Sequence, residues 1–180
     1  MPRKRIDYPI GSISSGTMRP EDLIPLFTSE LEYRLKHGPT VSRATRKAHT
    51  ALVREINARI LDEREFEDID LGIEGMADYD LESLFDALDA YAAPKFYFGA
   101  HPGNGSDYGY WLSETWDEDF VPVIDLQNEG WPGYSAGIKV SDLADVPAWF
   151  RGEVAVISDH GNVTLYVKTA RTLREVWSIV

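Results

Sequence analysis

Three groups of side chains in this chain of 180 residues have types and spacings that could do chemistry. The first is a run of carboxylates. Residues 61–90 hold 12 Asp or Glu and one base, Arg64. Asp62, Glu63, Glu65, Glu67, Asp68 and Asp70 are the densest part. Closely spaced carboxylates can bind a hard cation through oxygen. They can also offer a row of negative charge to a basic groove that normally holds a phosphate backbone. The calcium-loop pattern, alternating Asp or Asn ending in Glu with glycine at its sixth position, is absent. That leaves mimicry of nucleic-acid charge against the plainer alternative of a solvated acidic loop.

The second group is basic. Arg43, Arg46, Lys47 and Arg54, followed by Arg59, lie on a segment of helical period. Such a face is the usual footprint of a nucleic-acid contact. It is also what a helix would show if it were merely solvated, or paired with the acidic segment that follows. The third group is His101 with Asp107, and Asp159 with His160, each pair in a turn between strands. If the two turns met, these residues could hold a metal or work as an acid–base pair. No HxH or HExxH spacing supports them, and His or Asp in a turn commonly satisfies backbone groups there. The remaining histidines, His37 and His49, fall on helical segments.

Several classes are excluded. With no cysteine there are no disulfides, thiolate metal sites or Cys nucleophile. Residues 99–105 are rich in glycine, but no Lys-Ser/Thr follows to make a phosphate loop. No serine nucleophile elbow is present. No catalytic residue is assigned and no cofactor is expected. No apolar run approaches the ~20 residues of a membrane helix. No apolar segment follows the basic Arg3-Lys4-Arg5 to make a secretory signal, so a cytoplasmic protein is expected. The net charge of −12 is uneven. Residues 1–60 carry 11 Lys or Arg against 6 acids, and residues 61–180 carry 7 against 24. Asymmetry of this kind often marks a charged interaction surface.

The elements that must position these groups read as helices first and strands second. Residues 1–18 look like a flexible arm, small and polar around Gly11–Thr17. A helix is predicted over 20–37, with Pro20 at its start and Gly38-Pro39 at its end. Pro25 should kink it or split off a first turn. A second helix is predicted over 41–61, capped by Thr40 or Ser42, with Ala44, Ala48, Leu52, Ile56 and Ile60 as its apolar stripe. A third runs over 80–91, with Asp80 as its cap. Residues 62–79 should be a partly ordered connection that shows its carboxylates. Aromatic runs at 96–98 and 108–111 then frame a β-hairpin with a long loop. Extended segments follow at 121–126 and 138–140, with Pro122 pointing to an edge, and a capped turn at 141–145. Strands at 153–158, 163–168 and 173–180 form a meander. The expected class is α+β: N-terminal helices packed on a C-terminal antiparallel sheet. Residues 19–180 should be one domain, with a helical half to 93 and a β half from 94.

The stretches Tyr97–Trp111, Ser158–Tyr166 and Glu175–Ile179, with Met18–Pro25, resemble a group of small bacteriophage and mobile-element proteins. The resemblance implies an origin and no enzymatic motif. Small acidic phage proteins include inhibitors of host defence, among them anti-CRISPR and anti-restriction proteins that block a nuclease's nucleic-acid channel. The expectation is a non-catalytic inhibitor of this anti-CRISPR-like kind. Its partner would be a host nuclease or CRISPR effector, an RNA-guided DNA nuclease above all, bound through Asp62, Glu63, Glu65, Glu67, Asp68 and Asp70. The alternatives are a nucleic-acid-binding protein that uses residues 43–59, and a metal-dependent enzyme at His101, Asp107, Asp159 and His160.

Overall fold

The computed structural model describes residues 8–65, 74–125 and 137–179, with only the backbone of 61–65 and 74–76. The class is α+β. The chain divides into two compact units, residues 1–113 and 114–180. The division falls after the aromatic hairpin, whereas the sequence reading separates helical and β halves at residue 93.

Within the expected arm of the first unit, residues 11–15 form a paired strand, β1 (Gly11–Ser15). It adds to the edge of the hairpin strand β3 (Asn104–Leu112), which pairs on its other side with β2 (Phe96–His101), in the order β1-β3-β2. All pairs are antiparallel. Ser14 is buried and Ile13 packs on the core, which ties the segment down. Gly109 lies opposite Ser12, and a Cβ there would come 2.2 Å from the Gly11 carbonyl oxygen. Only glycine lets β1 come this close. The hairpin loop is correspondingly short. His101 pairs with Asn104, so only Pro102-Gly103 turn, and the Gly103 N–H donates to His101 Nδ1 at 3.0 Å. Gly103 sits in that turn, and Gly105 lies on β3 with open space where a Cβ would be.

Three helices belong to this unit: α1 (Pro20–His37), α2 (Arg43–Glu65) and α3 (Glu74–Asp89). α1 is continuous through Pro25. The acceptor Pro25 forgoes is the carbonyl of Glu21 in the opening turn, where a missing bond is cheapest. α2 is capped by Ser42, whose Oγ accepts from the Thr45 N–H at 3.0 Å. α3 starts upstream of its predicted cap, so Asp80 is a helix-interior residue. The core forms where Leu23, Phe27, Leu31 and Leu35 of α1 meet Ile56 of α2, Leu84 and Leu88 of α3, and Phe98 and Tyr110 of the sheet. Phe27 stands at its centre, with ring centroids 5.1 Å from Phe98, 5.5 Å from Phe85 and 5.8 Å from Tyr108, all edge-on. The sheet that the helices cover is thus this three-stranded one.

The second unit is a five-stranded sheet. Its strands are β4 (Phe120–Pro122), β5 (Gly137–Val140), β6 (Gly152–Ile157), β7 (Val163–Lys168) and β8 (Leu173–Ile179), in that order across the sheet. β6–β7–β8 is the expected antiparallel meander. β4–β5 and β5–β6 are parallel, so the sheet is mixed and not wholly antiparallel. Pro122 does lie on an edge strand, where its missing donor costs no ladder bond. Alternation divides the side chains between two faces. Ala155, Leu165 and Trp177 align across three strands on one, all buried. Ile138, Val140 and Val154 cluster with Phe150 in a buried group. Asp142 caps the short turn Leu143–Asp145 by accepting from the Ala144 N–H.

Candidate interaction surface

The carboxylates that lead the sequence reading fall mostly beyond description. Glu67, Asp68 and Asp70 lie outside the described residues. Asp62, Glu63 and Glu65 are on the last turns of α2, where only the backbone is described. The described part of the acidic region is α3. Asp78, Glu82 and Asp86 recur every four residues on it, all exposed, and none makes an ion pair or side-chain hydrogen bond among the described residues. At 3.6 residues per turn they form one stripe. The sequence reading missed it as a unit, though the four-residue spacing was there to be read.

Two carboxylates of α3 are engaged in structure instead. Asp80 is buried and accepts from the Arg59 guanidinium of α2, which also donates to Glu55 at 3.0 Å. Burial works against the charge on Arg59, yet the hydrogen bonds and charges of Asp80 and Glu55 hold its pKa above the usual value. Asp89 accepts from the backbone N–H of Phe98 at 2.9 Å, fixing the start of the hairpin to the end of α3.

The basic residues divide in the same way. Arg59 is consumed by Asp80. Arg43, Arg46, Lys47 and Arg54 are all exposed, and their side chains make no ion pair or hydrogen bond among the described residues. Pairing with the acidic segment that follows, one of the alternatives for this face, involves carboxylates that lie mostly outside the described residues. Ala44 and Ala48, expected in the apolar stripe, are exposed beside them. The buried edge of α2 is carried by Val53 and Ile56, with Leu52 and Ile60 partly buried alongside.

His49, on the inner side of α2, places Nδ1 3.2 Å from the hydroxyl of the buried Tyr91. Burial lowers the His49 pKa and raises that of Tyr91, the latter against the charge of Arg46. Tyr110 is also fully buried, and its hydroxyl has no hydrogen-bond partner among the described residues. Burial is the main reason its pKa is raised.

The four residues of the metal alternative divide between the two units. In the first, His101 closes the hairpin turn and stacks edge-on against Trp111 at 4.6 Å, while Asp107 accepts from Ser12 Oγ at 2.5 Å to join β3 to β1. In the second, Asp159 and His160 are exposed in the tight turn between β6 and β7, where the Ser158 and Asn162 backbones bond. No three His, Asp or Glu side chains come together as a metal-holding group among the described residues. No helix among them is long and apolar enough to cross a membrane. Comparison with known protein families, with curated proteins and with solved structures finds no match.

Proposed function

We propose that the protein is a non-catalytic inhibitor of phage or mobile-element type, anti-CRISPR-like in action. It occupies the basic nucleic-acid groove of a host defence enzyme, an RNA-guided DNA nuclease above all, in the cytoplasm of a bacterial host. The observation that carries this reading is the exposed row Asp78, Glu82 and Asp86 on α3, which follows the carboxylates of residues 62–70 in the sequence. Like charges four residues apart destabilise a helix by ~0.2–0.5 kcal/mol per pair. That cost has no return within the described residues. A cationic partner would turn it into attraction and would speed encounter electrostatically. The resemblance to phage proteins supplies the class of partner.

The test is capture from bacterial lysate followed by inhibition of the captured enzyme. A nucleic-acid-dependent nuclease should be retained at about 50 mM salt, released by about 200 mM, and inhibited by the free protein. A variant with Asp62, Glu65, Asp68 and Asp70 all changed to Lys should lose both retention and inhibition. If that variant inhibits as well as the native chain, charge mimicry is wrong.

A further inference from the structure

We infer that the exposed cationic stripe of α2, formed by Arg43, Arg46, Lys47 and Arg54, is a second interaction surface that contacts the phosphate backbone of nucleic acid without reading its sequence. At about 100° per residue, the four side chains fall within an arc of about 100° and span about 16 Å of helix axis. All four are exposed, and no described carboxylate pairs with any of them. Their position is unfavourable for the helix itself. Arg43, Arg46 and Lys47 sit in the first two turns, where the helix dipole is positive, and the first turn holds no acid. Cations gathered at that end add to the dipole's field and make a strong local attraction for an anion.

Neighbouring side chains decide between a nucleic acid and an acidic protein. Ala44, Ala48 and Ala51 are exposed alongside the stripe, and no exposed large apolar residue lies on α2 between Arg43 and Arg54. A protein interface draws its energy from aromatic or aliphatic anchors in a desolvated centre. This surface has none. A phosphate backbone needs only positioned cations and room to approach, which the alanines leave. The chain's net −12 opposes such binding at the lowest salt, where the Debye length is ~30 Å, and far less near physiological salt, where it is ~8 Å. Affinity should therefore be modest and the binding local to α2.

The experiment is fluorescence anisotropy of a labelled random-sequence DNA duplex with the full chain, between about 50 and 200 mM salt. With four phosphates neutralised, log K against log salt should fall with a slope of about −3.6 for B-DNA. Arg54→Gln should reduce that slope by about one. Changing all four residues to Gln should cut affinity at least tenfold and bring the slope towards zero. All four side chains are exposed and three of them oppose the helix dipole, so far-UV circular dichroism should be unchanged and the melting midpoint should not fall. A control with Asp78, Glu82 and Asp86 changed to Asn and Gln should keep the native slope. Absence of binding at about 50 mM salt overturns the inference. So does a quadruple variant with the native slope. Equal competition by polyglutamate, charge for charge, overturns it in favour of an acidic polypeptide partner. Loss of nuclease inhibition in the acidic variants bears on the other surface alone, so the two readings fail separately.

Discussion

α1 and α2 are neighbouring helices of one core, and they use charge in opposite ways. α1 follows the dipole throughout. Glu21 and Asp22 occupy its first turn, and Arg34, Lys36 and His37 its last. Its Arg34 is spent internally, bonded to Glu30 at 2.6 Å and lying over the Tyr33 ring. α2 has no acid in its first turn and leaves four cations without a partner among the described residues. α3 does the same in the opposite sign with Asp78, Glu82 and Asp86. Charge that stabilises a helix is accounted for by the fold. Charge that works against a helix calls for something outside it.

The sharpest break of that comparison lies within α2, between Arg59 and the cations left unengaged among the described residues. Asp80→Ala should cost about 2–3 kcal/mol, because it strips a buried partner from Arg59 and leaves the guanidinium with Glu55 alone. Arg54→Ala should change stability by no more than about 0.5 kcal/mol. Urea unfolding of both variants measures the difference. Equal costs would mean that the exposed cations are structural after all.

The fold was legible where period and punctuation act locally. Pro20, Gly38 and the alternation of Leu23, Phe27, Leu31 and Leu35 place α1 to the residue. The strands of the meander are read within one residue at each end. What failed was decided by distant partners. Gly99 and Gly109 face each other across the hairpin, and Gly109 meets the backbone of β1, which no local pattern announces. Asp80 has the residue type of a cap, but Arg59, 21 residues earlier, draws it inside the helix. Ala44 and Ala48 continue the four-residue repeat, but such a repeat drifts by about 40° per step, and the core follows Val53 and Ile56. The parallel pairing of β4, β5 and β6 leaves no mark in strands so short. Of the candidate surface, the basic residues were legible as a set. Their lack of described ion pairs was not, because pairing is a property of three dimensions.

A smaller effect separates the inner side of α2 from its outer side. His49 is partly buried against Tyr91 and its pKa is lowered by that burial. The unfolded chain binds the proton first as pH falls. The His49 contribution is therefore fully present above about pH 6.5, the unfolded value, and is lost as pH drops towards the folded pKa. The native chain should begin to lose stability as pH falls below about 6.5, above the range of ordinary carboxylates. His49→Phe should flatten the melting midpoint across that window. A parallel decline in the variant would assign the pH dependence elsewhere.

The smallest expected effect is the most direct test of the contrast between α1 and α2. Arg43→Glu places an acid at the positive end of α2 and relieves repulsion from Arg46 and Lys47. It should raise stability by about 0.3–1 kcal/mol at low ionic strength. Glu21→Lys makes the opposite exchange at the start of α1, where Glu21 also pairs with Arg19 at 2.5 Å, and it should lower stability. Added salt should shrink both changes, since both are exposed and screened. Stabilisation of α2 by Arg43→Glu together with weaker binding to duplex DNA would mean that the native residue trades helix stability for contact with an anion. No stabilisation at low salt would mean that the first turn of α2 already has a carboxylate partner, and the four-cation stripe would no longer be free to bind.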